Sequence, residues 1–295
     1  MHTATYYIDL LLSGITVGSL YALIAIGYTM VYGILRLINF AHGDIFMMAG
    51  FFMVYISALM PMAVAIPVVL IMTVALGLLI ERAAYKPLRS APRMSVMISA
   101  IGVSYLLQNL ATYITGGLAR PYPEIPFLKG TFMLGALKIK IITVVTPLLT
   151  ILLVIALVIF INHTKTGMAM RAVSRDFDTA RLMGIKVNNI ISVTFIIGSF
   201  LAGVGSILYF SNYGQVSPTI GAMPGLKAFV AAVFGGIGSI PGAVLGAYII
   251  GICESLIKAN DAIAIFSNAF TFALLILVLL FKPNGMFGEK LAEKV

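Results

Sequence analysis

Charged residues are scarce in this 295-residue sequence, and their scarcity decides its class. Only 10% of the residues are charged and 61% are hydrophobic, whereas a typical soluble domain carries about 25% charged residues. A water-facing surface cannot be built from that composition. The few charges leave apolar runs of roughly 17 to 25 residues, the length that a helix needs to cross a bilayer. The composition excludes a soluble domain and predicts an integral membrane protein.

Paired cysteines, clustered histidines and a phosphate-binding loop are also missing. The single Cys253 lies in an apolar run, so an intrachain disulfide is excluded and a packing role is expected. The three histidines, His2, His42 and His163, are too scattered to form a metal or catalytic cluster. No Gly-x-x-x-x-Gly-Lys-Ser/Thr motif is present, so the chain is not expected to hydrolyse ATP by itself. These absences favour transport over enzymatic chemistry.

The net charge of +9 comes mainly from Lys and Arg in loops beside the apolar runs. A soluble protein with this surplus would be expected to bind nucleic acid, but beside membrane spans basic residues retain a loop in the cytoplasm. The loops 33–43, 81–93, 163–187 and 282–295 hold thirteen of the nineteen Lys and Arg. We therefore predict an external N-terminus, a cytoplasmic C-terminus and no nucleic-acid partner.

The loop 116–140 opposes this orientation, because it holds four basic residues and one acidic residue on the predicted external side. It is rich in glycine and proline, which favours turns, and it could contact a soluble partner outside.

The apolar runs predict an all-α, polytopic helical bundle that forms a single membrane domain over residues 1–295. Nine membrane segments are expected: 9–32, 44–60, 62–80, 94–115, 141–162, 188–210, 225–239, 241–258 and 265–281. The seventh, 225–239, would span only about 22 Å as a helix, so it is predicted to be short or re-entrant. No internal repeat is evident in the residue pattern.

The first of two glycine-rich interruptions covers 33–43. Asp44 is predicted to cap the helix that follows, and the Gly and Asn residues allow a sharp turn. One interpretation is a tight turn at the inner membrane face. The other is a broken helix that lines the transport pathway, with Asn39 and His42 as polar contacts.

The second interruption, 235–242, contains Gly235, Gly236 and Gly238, which are further candidates for lining the pathway. Because each glycine costs up to about 1 kcal/mol in a helix interior, a bend is expected here. Small residues four apart in 241–258 favour close helix packing as well.

Few polar residues lie inside the predicted spans. Gln108 and Asn109 in the fourth span are candidates for the pathway, together with Asp44. Glu254 precedes Lys258 by one turn, and this order favours a simple ion pair over a contact with cargo.

The predicted cytoplasmic stretch 163–187 contains a short amphipathic helix. Ser174 is expected to cap it, Asp176 and Asp178 to occupy its first turn, Arg181 its later part, and Gly184 to end it. An apolar stripe follows helical spacing: Val173, Phe177, Ala180 and Gly184. The stripe either lies on the membrane surface or enters a groove on a partner protein.

Four segments carry a resemblance to a known family. Residues 178–184 are similar to the coupling-helix motif of bacterial ABC importer permeases, Glu-Ala-Ala followed three residues later by Gly, although only the second Ala and the Gly are retained. Residues 39–44, 81–89 and 228–242 resemble the H-type permease subunit of high-affinity branched-chain amino acid importers. The resemblance extends along essentially the whole chain.

The resemblance implies an ATP-driven importer in the bacterial inner membrane, and it implies that this chain forms half of the pathway. The implied partners are a second homologous permease subunit, two cytoplasmic ATPase subunits, a periplasmic amino-acid-binding protein and membrane lipid. It implies that ATP and Mg²⁺ are used by the ATPase subunits and that no cofactor is bound by this chain. The residues implied to contact the ATPase are Ser174, Asp176, Phe177, Asp178, Ala180, Arg181 and Gly184.

The cargo stays open at this point, because related permeases also serve urea and short amides. An ATP-independent channel or secondary carrier is a further alternative. For leucine, isoleucine and valine, a mostly apolar pathway with a few backbone or amide dipoles would suffice.

Overall fold

A computed structural model describes residues 2–89, 91–134, 137–282 and 285–287. The described residues form these helices: α1 His2–Leu35, α2 His42–Ile56, α3 Met62–Ile80, α4 Arg93–Thr115, α5 Ile141–His163, α6 Lys165–Arg175, α7 Phe177–Leu182, α8 Val187–Tyr213, α9 Ala222–Gly235, α10 Ile240–Lys258 and α11 Ser267–Phe281. A π-helical turn, Glu81–Tyr85, and a 3-10 turn, Lys86–Leu88, extend α3, and a 3-10 turn, Ala264–Phe266, precedes α11. The all-α bundle predicted from the sequence is confirmed.

Four short strands lie outside the helices: β1 Arg120–Pro121, β2 Thr131–Leu134, β3 Leu137–Lys140 and β4 Gln215–Val216. β2 and β3 form an antiparallel hairpin in which Thr131 is opposite Lys140. β1 pairs antiparallel with β4, with Arg120 opposite Val216. This second pairing fixes the loop between α4 and α5 to the connection between α8 and α9.

Seven of the described helices are long and apolar enough to cross a membrane, while α2 and α9 are shorter apolar helices. With 15 and 14 residues, they span about 22 and 21 Å at a rise of 1.5 Å per residue. The short segment expected at 225–239 is confirmed as α9, and the second segment, which ends at Ile56, is short as well.

Lys290 and Lys294, which contributed to the predicted orientation, lie outside the described residues.

The helices α1–α4 and α8–α11 form two similar units, which the residue pattern did not predict. Each unit consists of a long helix, a non-helical connector, a short helix and two further helices. The packing repeats as well, because α1 contacts α9 and α10 in the way that α8 contacts α2 and α3. The repeat lies in element lengths and packing partners, which explains why it is not evident in the sequence.

The two units run in opposite directions. Gly205 of α8 faces Leu23 of α1, and Gly198 faces Gly27, so residue numbers rise along one helix as they fall along the other. Units related in this way are inverted-topology repeats, an arrangement typical of membrane transporters.

The two short helices meet at their N-terminal ends. A Cβ atom at Gly43 would lie 2.6 Å from the carbonyl oxygen of Gly221 and 3.2 Å from the Cα of Gly225. Only glycine permits this approach of two backbones. Both short helices therefore begin at one place inside the bundle, reached from opposite ends.

The core is built around α1 and α8, whose apolar windows are mostly buried. The peripheral helices α4, α5 and α11 bury far less and expose large apolar side chains such as Tyr113, Leu152 and Phe281. An apolar surface of this extent requires lipid or a partner subunit as its surroundings.

Candidate functional site

The inner connector, residues 36–41, joins α1 to α2 and coincides with the predicted first interruption. It starts at Arg36, whose φ of 55° is the one positive value among the described residues other than glycine. The Arg36 Nη2 atom donates a hydrogen bond of 3.1 Å to the carbonyl oxygen of Ser174, near the end of α6. The connector is thus tied to the segment that the sequence predicted to be the coupling region.

Asn39 is buried within this connector. Its Oδ1 atom accepts a 2.7 Å hydrogen bond from the Tyr85 hydroxyl, while its Nδ2 atom has no partner in the part of the chain that the structure describes. An unpaired buried donor costs about 1–3 kcal/mol. The N–H group of this amide therefore remains available to donate a hydrogen bond.

His42 is the first residue of α2 and is also buried. Its ring packs edge-on against Tyr28 with centroids 4.9 Å apart, and its Nε2 atom has no hydrogen-bond partner of good geometry among the described residues. The ring occupies the space that a side chain at Gly27 would need. Within the described ranges, no three side chains of metal-ligating type lie together.

Asp44 links α2 to α4 instead of capping α2, which corrects the sequence prediction. The N-cap position is Ala41, and Asp44 lies in the first turn. Its carboxylate accepts hydrogen bonds from the Ser104 hydroxyl and, at 3.0 Å, from the Gln108 amide. Asp44 and Gln108 therefore lie together, as expected of polar residues in one bundle.

Asn109 lies apart from this group, although it was predicted alongside Gln108. Its amide donates to the Tyr105 carbonyl of its own helix, and the residue is exposed. Adjacent residues on a helix point about 100° apart, which explains the separation.

The stretch 235–242 forms the turn between α9 and α10. Gly236 and Gly238 have φ values of 104° and 99°, and the Ser239 hydroxyl caps α10 by accepting from the Gly242 amide. The predicted bend is confirmed. The predicted close packing is also confirmed, because a Cβ atom at Gly246 would overlap the carbonyl oxygen of Ala231.

The counterpart of the inner connector in the second unit is a different stretch, 214–221, which we call the outer connector. The residue pattern did not single it out, and the two glycine-rich interruptions at 33–43 and 235–242 are not equivalent in the structure. The outer connector begins at Gly214, with a φ of 75°, and the Tyr122 amide donates a 2.9 Å hydrogen bond to the Gly214 carbonyl. The β1–β4 pairing holds it as well.

The stretch 163–187 contains two helices, α6 and α7, where one was predicted. Asp176 separates them and caps α7, because its Oδ1 atom accepts from the amides of Asp178 at 2.9 Å and Thr179 at 3.2 Å. Ser174 is not the cap, since it lies inside α6 and its hydroxyl donates to the Arg171 carbonyl. The Gly184 stop is confirmed by a φ of 81°.

The apolar stripe of Val173, Phe177, Ala180 and Gly184 packs mainly against other residues of this same chain. Val173 and Ala180 are buried and Phe177 is half-buried against the core, while Gly184 is exposed. The interpretation that the stripe as a whole enters a partner's groove is therefore wrong, because helical spacing shows an apolar face but not what covers it. At the end of α7, Leu182 and Met183 are 87% and 78% exposed.

Replacing Asp176 by alanine is expected to lower the free energy of unfolding by about 1 kcal/mol, because two amides at the start of α7 lose their acceptor. Ser174→Ala is the matched control. It should change the free energy of unfolding much less, because that hydroxyl donates only to the Arg171 carbonyl within its own helix. Thermal unfolding of the purified variants measures both. Equal effects would contradict the assignment of Asp176 as the cap.

The loop after α3 is tied to the start of α8 by a polar network. Glu81 is buried and ion-paired with Arg89, and it accepts a 3.1 Å hydrogen bond from the Ser192 hydroxyl. Arg89 also donates to the Asn188 side chain. Burial lowers the pKa of Arg89, against the opposing effect of Glu81, and the nearby Arg181 lowers it further. The network therefore adjoins α7.

A second buried cluster could not be read from the residue pattern. The predicted pair of Glu254 and Lys258 is confirmed at 2.6 Å, but Glu254 also contacts Lys227 of α9 at 2.7 Å. The Tyr21 hydroxyl donates to the other oxygen of Glu254 at 2.9 Å. Lys227 lies 27 residues before Glu254 and in another helix, so no local spacing could indicate the contact.

Comparison with known proteins gives consistent matches over nearly the whole chain. The family model described as the permease component of the branched-chain amino acid transport system matches residues 10–279. The high-affinity branched-chain amino acid transport system permease protein BraD of Pseudomonas aeruginosa is 42% identical over 305 residues, covering 98% of both chains. LivH of Escherichia coli, with the same description, is 42% identical over 306 residues with the same coverage. A probable LivH of Methanocaldococcus jannaschii is 28% identical over 288 residues, covering 92% of this chain and 89% of the relative.

Proposed function

Because this multi-pass membrane protein belongs to the family of branched-chain amino acid transport permeases, we propose that it forms half of the pathway of an ATP-driven importer for leucine, isoleucine and valine. The observation that carries the proposal is the 42% identity to such permeases across 98% of the chain. An alignment with this identity and coverage includes both repeats and the loops between them. We therefore expect these permeases to share the whole architecture of this chain.

The pathway is proposed to pass where the two short helices begin. Discontinuous helices that start inside a bundle place unpaired backbone amides and polar side chains at membrane depth. Asn39 and His42 each have a buried polar atom there without a well-placed partner among the described residues, and Asp44 and Gln108 lie on the adjoining faces of α2 and α4. The turn with Gly235, Gly236 and Gly238 would move with α9.

The partners are those of an ABC importer. A second homologous permease subunit would cover part of the apolar surface, and two cytoplasmic ATPase subunits would use ATP and Mg²⁺. A periplasmic binding protein would deliver the cargo to the side that carries the loop 116–140. In this assembly the N-terminus is external and the C-terminus cytoplasmic, in the bacterial inner membrane.

Coupling is proposed to run through α7 by alternating access. ATP binding would draw the ATPase subunits together and displace the exposed end of α7 at Leu182 and Met183. The displacement would reach the inner connector through the Arg36 hydrogen bond to Ser174, and α8 through the Glu81 network. Through these contacts, α7 is connected to two elements beside the pathway, the inner connector and α8.

The test is leucine uptake by vesicles that contain the assembled importer with ATP inside. Leu182→Glu should reduce uptake about tenfold or more, because a carboxylate in an apolar contact must be desolvated. Leu59→Glu is the matched control, since Leu59 is 78% exposed at the other end of α2 from the inner connector; its uptake should be normal. Undiminished uptake by the Leu182 variant, or leucine accumulation without the ATPase subunits, would refute the proposal. Parallel uptake of urea tests the alternative cargo.

A further inference from the structure

A cavity of about 450 Å³ lies between the loop 116–140, the start of α5 and the end of α8. This volume is in the range of small-molecule sites, which are mostly apolar with a few placed polar groups. Five buried side chains form its apolar lining: Tyr122, Ile125, Leu128, Ile142 and Phe210. None is more than 7% exposed, so the floor of the cavity is part of the folded core.

Charged residues lie on the exposed part of the same cavity. Glu124 and Lys129 form an ion pair, and Lys140 at the end of β3 adds a second cation. The lining thus offers one carboxylate and two ammonium groups beside an apolar floor. A zwitterion complements this set, because its ammonium group matches Glu124 and its carboxylate matches the two lysines.

Tyr122 adds a buried polar group at the edge of the cavity. It lines the cavity, it is only 7% exposed, and its hydroxyl has no hydrogen-bond partner among the described residues. Burial raises the pKa of this phenol, so the hydroxyl keeps its proton and remains a donor. A buried unpaired hydroxyl is costly. It is closed off from the cavity in this conformation, and a small shift of Tyr122 on binding would let a polar ligand group satisfy it.

We propose that this cavity binds a free amino acid with an aliphatic side chain, held by Glu124, Lys140 and Lys129 at its charged end. The side chain lies on the apolar floor, and the carboxylate or ammonium group reaches the Tyr122 hydroxyl once Tyr122 shifts toward the cavity. The choice of aliphatic amino acids rests on the proposed function, while the zwitterionic character rests on the residues of the cavity.

The cavity adjoins the outer connector. Gly214 lines it, and the Tyr122 amide is bonded to the Gly214 carbonyl. An amino acid bound here contacts the start of the connector that leads into α9. The cavity is therefore an entry site, occupied before the cargo reaches the place where the short helices meet.

The test is equilibrium binding of radiolabelled L-leucine to the importer in nanodiscs without the periplasmic binding protein. Saturable binding is expected, and Lys140→Gln should weaken it about fivefold or more. Lys138→Gln is the matched control, because Lys138 lies on the same strand but does not line the cavity; its affinity should equal that of the wild type. 4-Methylpentanoate and 3-methylbutylamine, which each lack one charge of leucine, should compete weakly.

Tyr122→Phe supplies a second readout. Removing an unpaired buried hydroxyl should leave the melting temperature unchanged or higher, yet weaken leucine binding about threefold or more. The proposal is overturned by absence of saturable binding, by equal affinities of the Lys138 and Lys140 variants, or by equal competition from the two analogues.

Because nanodiscs enclose no compartment, uptake is measured in vesicles that hold the same importer with ATP inside and the periplasmic binding protein outside, and this measurement separates the two proposals. Import of leucine without saturable binding overturns this site and leaves the proposed function standing. Binding that depends on Lys140 but not Lys138, by an importer whose vesicles do not import leucine under these conditions, supports the site and overturns the proposed function.

Discussion

Replacement of Glu254 by glutamine is expected to lower the free energy of unfolding by about 3–5 kcal/mol, because it leaves the buried ammonium group of Lys227 without its carboxylate. The two side chains are 3% and 6% exposed and 2.7 Å apart. Tyr21 donates to Glu254 from α1, so the cluster joins α1, α9 and α10. Unfolding of the purified variant in detergent, followed by heat or denaturant, measures the loss.

Lys258→Gln is the matched control for this prediction. Lys258 contacts the same Glu254 oxygen, but its side chain is 52% exposed, and exposed ion pairs contribute about 0–1 kcal/mol. A double variant, Lys227→Met with Glu254→Leu, should recover most of the stability, because it removes both buried charges together. A Glu254→Gln protein as stable as the wild type would show that Lys227 reaches solvent.

Gly251→Ala is expected to lower the free energy of unfolding by about 3 kcal/mol, the upper part of the usual range for overpacking. A Cβ atom at Gly251 would overlap the backbone of Gly18 and lie 2.7 Å from the carbonyl oxygen of Gly14. Backbone atoms cannot move aside as a flexible side chain can, so α1 and α10 would have to separate. Small residues four apart on both helices permit their close approach.

Gly102→Ala serves as the comparison for that variant. Gly102 lies on α4, and a methyl group added there would have no neighbouring atom of the described residues within 4 Å outside its own helical turn. Alanine also favours helix over glycine by up to about 1 kcal/mol, so the stability of this variant should be unchanged or higher. A similar loss in both variants would indicate a general intolerance of alanine and not a tight contact between α1 and α10.

The sequence predicted the features that depend on local composition. Apolar runs located nine helices, and the polar residues around Asn39 and His42 located the break between α1 and α2. The turn formers at 235–242 located a true bend. In each case the physical cause, a bilayer-length apolar run or a helix-breaking cluster, is contained in a single stretch of chain.

The features that were missed depend on distant residues meeting. Gly43 and Gly221 allow the short helices to touch, yet neither glycine identifies the other in the sequence. Lys227 lies in an apolar run most of whose residues are buried, and Glu254 supplies its counter-charge from the next helix. The stripe of Val173 and Ala180 was visible, but only the packing of α6 and α7 shows that this chain covers it.

The opposite directions of the two repeats have a consequence for the sense of movement. Because α1–α4 and α8–α11 use the same packing with reversed polarity, any rearrangement that frees the inner connector has a counterpart that frees the outer one. Such a scaffold carries no strong preference for facing either compartment. Movement of cargo in one direction therefore depends on unequal interactions at the two ends of the scaffold. Only a difference in affinity shifts the equilibrium between the states that face the two compartments.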